Sequence, residues 1–224
     1  MGQLNTEVTS LQIDSPAGSL DACWLVPDGA TAGIVLAHGA GADYLHANMQ
    51  AIAEALAVNQ IASLRYNFPY MQAGKRRVDR PEIAVEAIQA AFEQALSEYD
   101  FPLFAGGHSF GGRMTSLAAA QGKISPRGLI FFSFPLHQPK KPDRKRAAHL
   151  PEITQPMLFL SGTRDDLAEQ KLLDTVVSEL PQAQAHWLET GNHSYVVLKR
   201  TRTNPLDIFS EIGITARSFV DDVI

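Results

Sequence analysis

Residues 106–113, GGHSFGGR, set one serine between paired glycines directly after the apolar run FPLFA (101–105). A serine in an ordinary turn tolerates many neighbours, so glycines on both sides of Ser109 specify a backbone geometry. Gly107-His108-Ser109-Phe110-Gly111 is a G-x-S-x-G pattern, and it stands between a strand-like run and an alanine-rich segment, MTSLAAAQG, that reads as a helix stopped at Gly122. In a nucleophile elbow the serine occupies a sparsely populated backbone region. Strand and helix then approach so closely that the positions two before and two after it have no room for a side chain. The same turn aims the Phe110 N–H at the place where a negative oxygen would form on a substrate. As a bare pentapeptide the pattern is weak, and the plain alternative is a tight turn with a bystander serine; the strand-and-helix context gives it weight.

Working outward, short apolar runs without alternation recur: GIVLA (33–37), IASL (61–64), PLFA (102–105), GLIFF (128–132) and PMLFL (156–160). Runs apolar on both faces belong to parallel strands covered on each side. Between them lie residues at helical spacing, Met49, Ile52, Ala53 and Leu56, then Ala84, Ile88, Ala91, Phe92, Ala95 and Leu96. The second of these helices has Asp79 near its cap and Pro81 in its first turn. Further helices are expected over 167–180 and 205–222. LQID and SLDACWLVP read as an antiparallel pair at one edge. The expectation is one α/β domain over residues 1–224, a mostly parallel sheet with helices on both faces. Residues 135–155 form a polar, proline-rich insertion too short for a second domain.

A serine hydroxyl needs a base, and the base needs a third group to hold its tautomer. In this arrangement the partners follow in the order serine, acid, histidine, each in a loop after a later strand. PMLFLSGTRDD presents Asp165, with Asp166 as the alternative that would equally cap a helix starting near Leu167. AQAHWLETGNHSY places His193 in a turn after a strand ending near Thr190. His38 and His46 precede the serine, and His108 is expected to point into the packing beside the elbow. His137 and His149 fall in the insertion, and His186 lies inside a strand. IVLAHGAGADY supplies the second oxyanion donor, with the Ala40 N–H as the candidate. That loop is not a dinucleotide fingerprint, because Tyr44 replaces the third glycine and no acid ends the next strand.

With 224 residues, 45% of them hydrophobic and a net charge of −5, the chain is long enough for a substantial core, and it lacks the basic face that nucleic acid requires. The basic residues Lys140, Lys141, Arg144, Lys145 and Arg146 read as a solvated loop. Cys23 stands alone within ACWLV, so no internal disulfide forms and a cytoplasmic setting is expected. No window has the roughly 20 apolar residues of a membrane span, and no secretory signal is read. The myristoylation-like MGQLNT, with Gly2 and Thr6, is too short a pattern to carry an argument. No metal-ligand spacing occurs, so neither metal nor cofactor is expected. Oligomeric state is left open.

LAHGAGAD, LRYNFPYMQAGKRR with the following DRP, GGHSFGGR, SFPLH, AAHLP, LSGTRD and GNHSY together resemble the small α/β-hydrolases related to dienelactone hydrolases. More narrowly they resemble the branch that includes a testis-expressed protein and a subunit of a chromatin-acetylation complex. The resemblance runs from Leu36 to Tyr195. It implies an α/β-hydrolase fold without a separate lid and a triad of Ser109, Asp165 and His193. Phe110 departs from the methionine common after the serine, and Asp166-Leu167 departs from a proline-containing continuation, which leaves the choice of aspartate open. The expected activity is that of a serine hydrolase acting on a small ester or thioester. Tyr66, Phe68 and Tyr70 are candidate linings of an acyl site, and Arg113, with Lys75, Arg76 and Arg77, is a candidate for an anionic substrate group; packing and loop anchoring are the alternative roles for these residues. The competing class is a hydrolase fold kept as a protein-interaction scaffold.

Overall fold

The structure, a computed structural model, describes residues 6–224; Gly2 of the myristoylation-like pattern lies outside them. The elements in chain order are β1 (Thr6–Ser15), β2 (Gly18–Pro27), β3 (Ala32–Ala37), α1 (Ala47–Val58), β4 (Ile61–Tyr66), α2 (Pro69–Gln72), α3 (Pro81–Glu98) and β5 (Leu103–His108). They continue with α4 (Phe110–Ala120), β6 (Leu129–Phe132), β7 (Met157–Gly162), α5 (Gln170–Ser178), β8 (Ala183–Leu188) and α6 (Ile208–Val223). One sheet has the order β1-β2-β4-β3-β5-β6-β7-β8. Strands β3 to β8 pair in parallel, and β1 and β2 add an antiparallel edge through β4.

The non-alternating runs are strands for the reason their sequence gives. Every residue of β3, β4, β6 and β7 is buried, because helices cover both faces. On one face Leu64, Ala84, Ile88, Met114 and Phe131 join a core under α3 and α4, while on the other Ile34, Leu36, Ile52, Phe104, Ile212 and Phe219 pack under α1 and α6. Cys23 is buried within β2. The architecture is the mostly parallel α/β sheet with helices on both faces that the sequence led one to expect, with no separate lid domain among the described residues.

Asp79 stands beside the cap of α3 and Pro81 in its first turn, as expected, with Arg80 at the cap position, and Asp79 Oδ2 accepts the Tyr70 N–H at 2.9 Å. One boundary differs from the sequence reading. Helix α5 starts at Gln170, because residues after Asp165 are held in a turn by the Leu167 N–H on Asp165 Oδ1 at 2.8 Å. The insertion after β6 carries two short 3-10 turns, Lys145–Ala147 and Leu150–Glu152, the second of which packs against α4. Among the described residues no helix is long and apolar enough to cross a membrane, and no group of three potential metal ligands gathers.

Candidate active site

Strand β5 passes into α4 through Ser109, whose backbone sits at φ 51° and ψ −115°. For a residue with a Cβ this is a strained region, at a cost on the order of 1–3 kcal/mol that the surrounding structure must offset. The turn is pinned by the Ser109 N–H on Phe132 O at 2.9 Å and by the Arg113 N–H on Ser109 O at 3.1 Å. The flanking glycines are required by close approach. A Cβ on Gly107 would lie 2.5 Å from Ala37 O and 2.8 Å from Gly111 C, and one on Gly111 would strike both Ala37 and His38. Helix α4 can therefore cross the end of β3 only with hydrogen at these positions.

Three side chains from three loops meet at this turn. His193 Nε2 lies 2.8 Å from Ser109 Oγ, and His193 Nδ1 lies 2.9 and 2.8 Å from the two carboxylate oxygens of Asp165. With Nδ1–H donating to the carboxylate, Nε2 is left as an acceptor for the serine proton. The Asp165 side chain is fully buried, whereas that of His193 is 18% exposed, so the imidazole stands between a dry carboxylate and the open cleft. Asp166 is exposed and makes no contact with His193, and it is Asp165, not Asp166, that takes the turn-forming N–H of Leu167. The acid and base loops touch directly: Arg164 N–H donates to Gly191 O at 2.9 Å, and a side chain at Gly162 would strike Gly191. Asn192 shapes the His193 turn by accepting the N–H groups of Ser194 and Val196 at 3.0 and 2.9 Å.

Two further histidines brace the site, and the sequence reading gave neither this role. His38, wholly buried at the end of β3, donates from Nδ1 to Gly39 O at 2.9 Å and accepts the Phe68 N–H at Nε2, 3.0 Å away. Its two bonds require the neutral ring, and burial lowers its pKa to about 4. His108 is directed at the base loop, where Nε2–H donates to the His193 carbonyl oxygen at 3.0 Å. Burial first, and then the neighbouring His193, lowers its pKa to about 4 as well. The only sequence signal for either was a histidine at the end of a strand beside glycine. Of the others, His137 is buried and accepts the Glu169 N–H, His149 pairs with Ser116, and His186 in β8 pairs with Glu211.

The cleft over Ser109 has a volume of about 200 Å³ and is walled by Gly39–Ala42, His46, Asn48, Met49, His108, His193 and Ser194. Ala40 thus faces the serine across the cleft, and its N–H engages no backbone carbonyl among the described residues. Phe110 opens α4, where a first-turn N–H has no intrahelical partner. Tyr66, Phe68 and Tyr70 do not line this cleft, which corrects the expectation of an aromatic acyl site. They are 0%, 0% and 1% exposed; Phe68 and Tyr70 pack against His38 and Phe110, and Tyr66 packs against Phe68. The physical reason is that the segment after β4 is tied to β2, through the Asn67 N–H on Asp21 O at 2.9 Å and the Asp21 N–H on Gln72 Oε1 at 3.1 Å, which keeps these rings within the core. Lys75, Arg76 and Arg77 are exposed, Arg113 is half-buried on α4, and none of the four is among the cleft walls.

A family model described as an alpha/beta hydrolase domain matches residues 30–221. Among solved structures the chain is similar to a dienelactone hydrolase from Anabaena variabilis, with a TM-score of 0.77 and 15% identity over 98% of this chain and 99% of that one. It is also similar to an α/β serine hydrolase without lid from Xanthomonas campestris, with a TM-score of 0.75 and 18% identity over 99% and 97% of the two chains. Est1E from Butyrivibrio proteoclasticus aligns with a TM-score of 0.72 and 15% identity over 95% and 98%. At such identities the likeness is one of fold.

Proposed function

The chain belongs to the alpha/beta hydrolase domain family, and from that premise we propose that it is a serine hydrolase moving an acyl group from a small ester or thioester to water. His193 Nε2 takes the Ser109 proton as Oγ attacks the acyl carbonyl. Asp165 holds the ring and stabilises the imidazolium. The Ala40 and Phe110 N–H groups receive the oxyanion, and the imidazolium returns its proton to the departing alcohol or thiol. Water, activated by the same imidazole, then breaks the acyl–serine bond and restores the hydroxyl.

The observation that carries the reading is the unbroken line from Asp165 through His193 to Ser109 Oγ, each step at 2.8–2.9 Å. The two neutral histidines support it, because each fixes a loop of this line without adding a positive charge beside the imidazolium. A short-chain substrate fits a cleft of about 200 Å³. The branch with the testis-expressed protein rests on the motif resemblance alone. A cytoplasmic setting is in keeping with a single, buried cysteine. The test is a panel of short-chain acyl esters and thioesters assayed with wild type and Ser109→Ala. Turnover in wild type, reduced about 10⁵-fold or more in a variant whose circular dichroism is unchanged, is expected. Equal turnover in both proteins would remove the assignment.

A further inference from the structure

The stretch Arg65–Tyr70, RYNFPY, leaves the end of β4 beside the loop that carries Ala40, and it reaches that loop at both ends. At the near end Gly39 O accepts three donors, His38 Nδ1 at 2.9 Å, the Ala42 N–H at 3.3 Å and the Tyr70 hydroxyl at 3.4 Å. At the far end Asn67 Oδ1 accepts the Tyr44 N–H at 3.3 Å, and Arg65 Nη1 donates to Tyr44 O at 3.2 Å. Asn67 is itself held, its Nδ2 donating to Gln72 Oε1 at 3.2 Å. Gly39 lies against the neighbour of the nucleophile, since a Cβ there would stand 2.8 Å from His108 Nδ1.

The Gly39 carbonyl and the Ala40 N–H belong to one peptide unit. No peptide bond among the described residues is cis, and a planar trans peptide points its N–H opposite to its C=O. With Gly39 O turned toward the buried His38 and Tyr70, the Ala40 N–H is turned away from them, toward the cleft that Ala40 walls together with Ser109. The cost of Arg65 points the same way. It is buried in a strand otherwise free of charge, its Nε has no partner, and among the described residues it forms no ion pair. Its cross-strand neighbour Cys23 gives no counter-charge, because burial raises the thiol pKa. Burying a guanidinium without an anion is unfavourable, and what this one engages is the Tyr44 carbonyl of the loop.

We propose that Arg65, Asn67 and Tyr70 are positioning residues that hold the loop from Gly39 to Tyr44 so that the Ala40 N–H faces the oxyanion of the transition state. For its effect on turnover this rests on the hydrolase reading above, whereas the grip on the loop is measured without turnover. A donor fixed in advance needs no reorganisation when the charge develops, and that is the source of an oxyanion site's strength. The RYNFPY motif thereby acts on the reaction through the peptide it orients, with its rings buried away from the substrate.

The test measures p-nitrophenyl butyrate hydrolysis, Tm and amide exchange of the peptide 39–45 in Arg65→Met, Asn67→Ala and a control, Asn59→Ala. The bond lost in the control, Nδ2 on Ala55 O at 2.8 Å, lies at the other end of α1. Arg65→Met and Asn67→Ala are expected to lower kcat and kcat/KM alike by about tenfold, because an interaction made only in the transition state is weakened. The fall stays short of the roughly 10²–10³-fold that outright loss of a donor causes. Exchange of 39–45 should quicken about tenfold in both. The Tm of Arg65→Met should stay at or above that of wild type, since a buried unpaired cation has been removed. Asn59→Ala should leave kcat and loop exchange unchanged. Should a clamp variant fail to fold, Tyr70→Phe, which removes only the hydroxyl on Gly39 O, carries the test with a fall of about threefold in kcat and kcat/KM. Turnover unchanged in the folded variants, or lowered equally by Asn59→Ala, overturns the proposal. Where the wild type turns over no ester, loop exchange decides: quickened exchange keeps the grip on the loop while the hydrolase reading falls, and exchange at the wild-type rate removes the clamp.

Discussion

The cleft over Ser109 and the groove between α1 and α6 are opposite kinds of concavity. The groove is larger, about 540 Å³ against about 200 Å³, and it is walled mainly by apolar groups such as Val58, Leu206, Phe209 and Ile214. Yet it holds no residue of positive φ and no histidine, and its Asp207 carboxylate is engaged in capping α6 through the N–H groups of Phe209 and Ser210. Around the cleft stand Ser109 at positive φ, the hydrogen-bonded line of His193 and a buried Asp165 carboxylate, and two histidines, His108 in its wall and His38 behind it, with pKa values lowered to about 4. Converging polar groups and stored strain, not volume, are what single out the cleft as the proposed place of chemistry.

The contrast can be broken most severely at the acid. Asp165→Asn should cut turnover by about 10⁴-fold, because the amide favours the wrong imidazole tautomer, while Asp166→Asn should leave it near wild type. Steady-state kinetics of the two variants on one ester checks this. The reverse outcome would move the acid to the exposed neighbour. Next in size is the backbone crossing. Gly111→Ala should destabilise the protein by roughly 4 kcal/mol, about 10 °C in Tm, because the added Cβ meets backbone at Ala37 and His38 and the buried end of β3 cannot yield. The matching change in the groove, Ile214→Ala, removes a side chain that is 50% exposed. It should cost about 0.5 kcal/mol or less and leave turnover alone. Differential scanning calorimetry of both variants measures the gap.

Much of this was legible in the chain. The non-alternating runs could only be covered strands, and Gly107 and Gly111 stand where a helix must cross a strand at close range. The order serine, acid, histidine followed from the fold. What stayed hidden depends on direction. Tyr66, Phe68 and Tyr70 have the composition of a pocket wall, and only the tertiary packing of the segment from β4 into α2 shows that they face inward. Asp165 and Asp166 are adjacent and chemically alike, so the choice between them needed the turn that buries one and exposes the other. His38 and His108 act through tertiary hydrogen bonds to Phe68 and His193, 30 and 85 residues away, which no local pattern encodes.

A smaller effect sharpens the comparison through pH. His38 binds no proton in the folded protein until about pH 4, whereas in the unfolded chain it titrates near 6.5. Its contribution is therefore complete above pH 6.5 and is lost as pH falls toward 4, since the unfolded state takes up a proton that the native state refuses. The loss is on the order of 3 kcal/mol from this residue. Urea midpoints should decline over that window in wild type and decline less in His38→Asn. Equal declines would mean that the buried imidazole is not held neutral.

The central claim is that Ser109 Oγ is activated by His193. Its most direct measure is labelling with a fluorophosphonate probe, followed by intact mass and peptide mapping, on wild type and His193→Ala with folding verified for both. Stoichiometric modification of Ser109 in wild type and none in the variant on the same timescale is the predicted result. A folded wild type that stays unlabelled, or a variant labelled at the same rate, would contradict it.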